Sequence, residues 1–275
     1  TQSGFGIPMA TDIAFALGML SLLGNRVPFS LKIFLTALAI IDDLGAILVI
    51  AIFYNDGISW IYLLSALGIF AGLYVLGKLK VYNLLFYIIP GIVMWYCMLK
   101  SGVHATITGV LLAFAIPFGK LGTKSPSYRL QHFLHKPVAF IILPIFALAN
   151  TGLILSTGWE KELTTDNSIG IILGLLIGKP VGIILFSLLL VRLKWGSLPS
   201  GISWKQLLGA GILAGIGFTM SIFITNLAFK DISTILFAKV AVLTGSVLSC
   251  VAGLLWLNFS LKNTKAEEAE TERQE

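Results

Sequence analysis

The sequence predicts an all-α polytopic membrane protein with about nine transmembrane helices, two of them interrupted. Composition comes first: of 275 residues, 57% are hydrophobic and only 12% charged, where a soluble domain carries roughly 25% charged residues. A mean hydropathy of +0.93 over the whole length cannot come from one anchor of about 20 apolar residues diluted by a soluble domain. The net charge of +6 is spread as short basic clusters between apolar runs. That pattern reads as topology signals and argues against a nucleic-acid footprint, which would form one stripe with interleaved aromatics.

Apolar runs bounded by Gly, Pro and charge place the spans at residues 8–24, 29–53, 58–77, 83–98, 103–118, 137–156, 168–191, 206–228 and 234–258. Gly24-Asn25-Arg26-Val27-Pro28 and Tyr54-Asn55-Asp56-Gly57 are typical loop breaks. The first and fifth spans are short for a hydrocarbon core of about 30 Å, so they are expected to be broken or partly buried helices. Alternate loops divide the basic residues unequally. One side holds Arg26, Lys32, Lys78, Lys80, Lys120, Lys124, Arg129, Lys136, Arg192, Lys194 and Lys205 with the tail residues Lys262, Lys265 and Arg273; the other holds Lys100, Lys161 and Lys230. The first set and the C-terminus are therefore expected in the cytoplasm, and residue 1 outside. A chain that begins outside at Thr1 with no basic leader reads as lacking an odd number of upstream spans. Residues 1–260 form the transmembrane domain, and 261–275 a polar cytoplasmic tail of mixed charge, expected to be disordered. Cys97 and Cys250 lie in apolar runs and read as small buried hydrophobes rather than a disulfide or metal pair.

The acids well inside apolar runs are Asp12, Asp42 and Asp43, and the most deeply embedded base is Lys179. A charge at the bilayer centre costs about 2.5–3.5 kcal/mol, so such residues are functional by default. Asp42 and Asp43 are adjacent on one helix and point about 100° apart, so at most one faces squarely into any given cavity. A carboxylate so placed can hold either a proton or a hard cation such as sodium, which takes oxygen ligands. Exclusive occupancy by one or the other is the physical core of exchange. Lys179 can neutralise one of the acids and act as a second proton carrier. The bland alternative is a buried ion-pair cluster that only holds helices together, which apolar packing would do without the desolvation cost.

Glycines crowd two spans. Gly4, Gly6, Pro8 and Thr11-Asp12 mark the start of the first; Gly209, Gly211, Gly215 and Gly217, followed by Thr219 and Ser221, mark the eighth. Both read as discontinuous helices, and loop parity gives them opposite directions, as in inverted repeats with a site at the midplane. For the eighth span, ordinary close packing by small residues is the competing account. Gly178-Lys179-Pro180 predicts a local break beside the buried lysine.

Over nearly its whole length the chain resembles the NhaA-type bacterial sodium/proton antiporters, a family that is itself one of the standard inverted-repeat examples. The likeness rests on TDIAFALG at 11–18, LKIFLTALAIIDDLGAI at 31–47, LKSGVHATITGVL at 99–111, LIGKPVGI at 176–183 and GIGFTMSIFI at 215–224. The resemblance implies an inverted-repeat antiporter fold of twelve spans, of which three at the N-terminus are absent here together with the hairpin through which the family forms homodimers. It implies a secondary transporter of the bacterial inner membrane, not an enzyme, exchanging cytoplasmic Na+ or Li+ for external H+ electrogenically in sodium and pH homeostasis, with no cofactor beyond the transported ions. Carried over by residue, Asp43 is the principal sodium ligand; Asp42 exchanges protons, shares the cation site and pairs with Lys179; and Thr11 adds an oxygen. Asp12 compensates the half-helix N-termini, Lys179 the facing C-terminal ends, and Gly215 and Gly217 supply the broken-helix backbone. His104, Arg129, His132 and His135 match regions linked to pH response, although Gln131 stands where an acid is often found. For His104 a hydrogen-bonded interhelical role, and for His132 and His135 solvated loop positions, remain open.

Two other functions are compatible with acids in a membrane. An intramembrane aspartyl protease carries GxGD, where this chain has IIDDLG. A sodium-coupled symporter needs a solute pocket, and the embedded residues here offer acids and one base without an aromatic wall. A structural or regulatory derivative of an antiporter is the third alternative.

Overall fold

The computed structural model of the chain describes residues 4–54, 57–118, 122, 125–152 and 163–271, without the side chains of Asn25 and of 262–271. Regular structure among the described residues is helical throughout: α1 (Ile13–Ser21), α2 (Phe29–Phe53), α3 (Trp60–Lys78), α4 (Leu85–Lys100), α5 (Thr106–Ala115), α6 (Pro126–Thr151), α7 (Asp166–Arg192), α8 (Trp204–Ala214), α9 (Phe218–Ala228) and α10 (Ile232–Thr271). Five of these, α2, α3, α6, α7 and α10 over Ile232–Leu261, are long and apolar enough to cross a membrane, and α8 with α9, bent by 48° at their junction, make a sixth if counted as one span. Ile7–Ser21, α4 and α5 are shorter apolar helices. Together these are the spans the sequence predicts.

Two boundaries differ from expectation. Helix α6 begins at Pro126, well before the predicted residue 137, because the Ser125 hydroxyl caps it by accepting the Tyr128 N–H at 3.3 Å with Pro126 in the first turn. The Arg129 to His135 run is thus helix, not loop; residues 153–156 of that predicted span lie outside the described residues. Helix α10 continues to Thr271, into the segment expected to be disordered, over a run rich in the good helix formers Ala, Glu and Lys.

The chain divides into two compact units, residues 1–46 with 150–275, and residues 47–149. In the first, α1, the start of α2, α8 and α10 share a core of Ala16, Leu20, Leu31, Leu35, Leu207, Leu213 and Leu257. Helices α8 and α10 approach through reciprocal pairs: a Cβ on Gly209 would lie 2.5 Å from Leu257 Cδ2, and one on Gly253 would lie 2.7 Å from Leu213 Cδ2. Such small residues matter in lipid, where helix association depends on close packing more than on hydrophobic burial. The second unit packs α3, α4 and α5 around Ala66, Leu73, Tyr87, Met94, Met98 and Ala115. Its Gly102 has φ of +84° in the turn after α4, a conformation in which a side chain would be strained.

Each of two long helices carries a π turn beside a proline, Val138–Ile142 after Pro137 in α6 and Gly174–Gly178 just before Lys179 and Pro180 in α7. Proline has no N–H, so the carbonyl four residues earlier loses its donor, and a wider turn re-registers the ladder. The local break expected at Gly178-Lys179-Pro180 therefore takes the form of a π turn ending at the lysine.

Candidate functional site

The chain leaves helical geometry twice in the first unit. Residues 10–12 are extended between the Ile7–Met9 turn and α1, and Gly215-Ile216-Gly217 separates α8 from α9. The two breaks are joined directly: the Asp12 N–H donates to the Ile216 carbonyl at 2.7 Å, and the Ser221 hydroxyl donates to the Ile7 carbonyl at 2.7 Å. Gly215 is required by this approach, since a Cβ there would lie well under 3 Å from the Leu175 carbonyl oxygen in the α7 π turn and 2.7 Å from Ser249 Oγ. The four glycines of the eighth span thus divide. Gly209 meets Leu257 and Gly211 lies against Pro180 as packing positions, while Gly215 and Gly217 form the break.

Asp12 sits at the crossing, 4% exposed. One carboxylate oxygen caps α1 by accepting the Phe15 N–H at 3.1 Å. The other accepts the Thr219 N–H at 3.2 Å and the Thr219 hydroxyl at 2.5 Å, in the first turn of α9. A single carboxylate thereby faces two helix N-termini, whose free N–H groups and positive partial charge favour an anion.

Thr11, next in the chain, is the hub of the second cluster. The Lys179 ammonium donates to Thr11 Oγ1 at 2.6 Å and to the Met9 carbonyl at 2.7 Å. The Thr11 hydroxyl lies 2.7 Å from Asp42 Oδ2 and 3.1 Å from the Ala214 carbonyl, and its one proton serves either acceptor in turn. Lys179 also forms an ion pair with Asp42 Oδ2 at 3.1 Å, the side chains being 7% and 20% exposed. Met9 ends the short turn before the first break and Ala214 the half-helix before the second, so both present carbonyls to the lysine and threonine, and that of Ala214 carries the negative end of its helix dipole. Asp43 behaves differently from its neighbour. Its Oδ1 is buried with no hydrogen-bond partner among the described residues, and an unpartnered buried carboxylate oxygen is costly unless a proton or cation takes it up.

The sequence-predicted residues Thr11, Asp12, Asp42, Asp43, Lys179, Gly215 and Gly217 therefore all belong to one unit, in which Thr11, Asp42 and Lys179 bond to one another and Asp12 bonds to both sides of the break at Gly217. The other candidates belong to the second unit. His104 Nε2 pairs with the Tyr54 carbonyl at 2.9 Å, and Arg129, His132 and His135 are exposed on the first turns of α6. Lys239 in α10 escaped the sequence reading. It is 8% exposed, and the signal was present, a base inside an apolar run.

A family model described as Na+/H+ antiporter 1 matches residues 1–257. The chain belongs to the Na+/H+ antiporter 1 family. It is 59% identical over 265 residues to the Na(+)/H(+) antiporter NhaA 1 of Flavobacterium johnsoniae, covering 96% of this chain and 70% of that protein. It is 61% identical over 267 residues to the Na(+)/H(+) antiporter NhaA of Dechloromonas aromatica, with coverages of 96% and 69%. Against the Na(+)/H(+) antiporter NhaA of Escherichia coli strain UTI89 the identity is 52% over 264 residues, with coverages of 95% and 68%. This member of the antiporter family is accordingly a multi-pass secondary transporter of Na+ and H+ and not an enzyme, and the protease reading falls away.

Proposed function

We propose that Asp42, Asp43, Thr11 and Lys179 form the exchange site, on which sodium and protons compete. The observation that carries this reading is the contrast between adjacent acids: Asp42 is held by Lys179 and Thr11, while a buried Asp43 oxygen stands free beside them. An incoming Na+ takes the Asp43 carboxylate, draws on Thr11 Oγ1 and competes with the Lys179 ammonium for Asp42 Oδ2. Several oxygens replace its hydration shell, as hard cations require. Proton return to Asp43 and to the Lys179 amine expels the cation, and the recharged ammonium re-forms its pair with the ionised Asp42. Asp12 compensates the N-termini at the crossing and Lys179 the C-terminal ends, so the chain breaks stay charge-balanced in both states.

With more than one titratable group serving one cation, exchange carries more protons than sodium ions and is electrogenic, so membrane potential drives export of cytoplasmic Na+ or Li+. The basic-residue asymmetry supports a bacterial inner-membrane orientation with a cytoplasmic C-terminus. His104, Arg129, His132 and His135 are candidates for the pH response, and a homodimer in the lipid bilayer is the proposed assembly.

The test is made on Asp43→Asn and Asp42→Asn in the complete gene product, since Asn keeps the volume and removes the titratable charge. Everted vesicles carrying either variant are expected to insert the protein yet show no sodium- or lithium-dependent dissipation of a proton gradient. Wild-type rates from either variant would refute the assignment.

A further inference from the structure

We propose that Ser246 of α10 is a positioning residue for ion exchange, fixing the N-terminus of α9 at the crossing; the proposal rests on the functional reading above. The first N–H groups of any helix lack intrahelical partners. In α9 they are met from two sides. Asp12 takes the Thr219 N–H at 3.2 Å, and the Ser246 hydroxyl oxygen takes the Phe218 N–H at 3.1 Å from a helix that follows in the chain. Ser246 is 5% exposed, so no bulk water replaces it. Its place is set by the preceding Gly245, where a Cβ would lie 3.1 Å from Leu175 Cδ1 and 3.4 Å from Ile172 Cα. Ser246 is thus tied to the same π turn that ends at Lys179.

The spacing has a counterpart in the first half of the unit. Thr11, in the first break, bonds Asp42 31 positions later, and Phe218, just after the second break, bonds Ser246 28 positions later. Each interrupted helix is met at its break by a polar side chain of the helix that follows it. One half supplies an acid that handles ions. The other supplies a neutral hydroxyl that holds the backbone without adding a second negative charge beside Asp12, leaving the α9 N-terminus to that carboxylate alone. The consequence runs through consecutive residues: Phe218 follows Gly217 and Ile216, the Ile216 carbonyl accepts from Asp12 at 2.7 Å, and Thr11 beside it contacts Asp42 and Lys179. Removing the Ser246 oxygen leaves a part-buried N–H without its acceptor, and the break shifts to find one, carrying the Thr11 oxygen away from the cation.

Ser246→Ala, Ser246→Thr and Ser246→Cys in the complete gene product separate this role from simple packing. Two readouts are used at matched amounts of membrane protein: sodium-dependent proton flux in everted vesicles, and sodium binding to the purified protein by titration calorimetry. Loss of one buried hydrogen bond predicts about a tenfold rise in half-saturating sodium for S246A, with maximal rate changed less, no more than about twofold for S246T, and an intermediate value for S246C, whose thiol accepts weakly. A packing role would lower the amount of folded protein and leave half-saturation where it was. Unshifted half-saturation in S246A overturns the proposal, and if S246A fails to accumulate, an unshifted S246C does so. A wild-type protein that neither binds sodium nor couples it to proton flux would overturn the functional reading instead, so the two failures are distinguishable.

Discussion

Replacing Gly215 with alanine tests whether the crossing of the two chain breaks is what the site depends on. The added Cβ would fall well under 3 Å from the Leu175 carbonyl oxygen and 2.7 Å from Ser249 Oγ. Leu175 contributes backbone, which cannot rotate away, so either the end of α8 or the π turn of α7 must retreat by about 1 Å to reach ordinary contact. Such overpacking costs about 1–3 kcal/mol. The same displacement strains the Asp12 to Ile216 hydrogen bond at 2.7 Å and the Thr11 to Ala214 contact at 3.1 Å; losing one buried bond adds about 1–3 kcal/mol. A total of about 2–5 kcal/mol is expected, together with loss of sodium-dependent flux. The control is Gly18→Ala in α1, where a Cβ meets nothing within 4 Å and the helix gains up to about 1 kcal/mol from alanine. Thermal unfolding of both variants in one detergent, with flux in everted vesicles, makes the comparison. If G215A melts with G18A and transports normally, the tight crossing is not what organises the site.

Two further outcomes follow from individual contacts. Thr11→Val removes the oxygen shared by Lys179 and Asp42 and should raise half-saturating sodium about tenfold, while Thr11→Ser restores it; equal affinities for T11V and wild type in a binding titration would remove Thr11 from the site. Asp231, at the start of α10, accepts from the Ser233 hydroxyl and from the Thr234 N–H and hydroxyl, and these bonds, the Ser233 hydroxyl first, hold its pKa down at about 2. Because the folded value is depressed, the cap is fully present above the ordinary aspartate range and is lost as pH falls toward 2. Hydrogen exchange at Thr234 should thus be protected at pH 5 to 7 and faster throughout in Asp231→Ala; identical exchange in the two proteins would show that the cap does not order this turn.

Most of the fold was legible because membrane spans obey a simple rule: every backbone polar group in hydrocarbon must bond within its own helix, so apolar runs of sufficient length become helices whatever surrounds them. Exceptions arose where local chemistry outweighed hydropathy, as when Ser125 and Pro126 started α6 in a polar stretch. Glycine was ambiguous by nature. Gly209, Gly211, Gly215 and Gly217 look alike in the sequence, yet the first two seat neighbouring helices and the last two form the break. Lys239 is a further charge in an apolar run, legible in the sequence and buried in α10.

By itself the sequence determined which residues are out of place in lipid, because an acid or base in a lipid-soluble run is costly to keep, and the stretch around Asp42-Asp43 carries the family likeness. The tertiary structure decided what each of them touches. Helical geometry alone says that Asp42 and Asp43 face different ways; only packing puts Lys179 and Thr11 on Asp42 and leaves an Asp43 oxygen without a partner. Asp12 caps α1 locally, three residues away, but its second helix, at Thr219, is 207 positions distant, and Thr11 reaches Ala214 across 203. Partners at such separations are chosen by how whole helices pack, because one side chain's bond strength is the same wherever a matching group happens to be brought within reach.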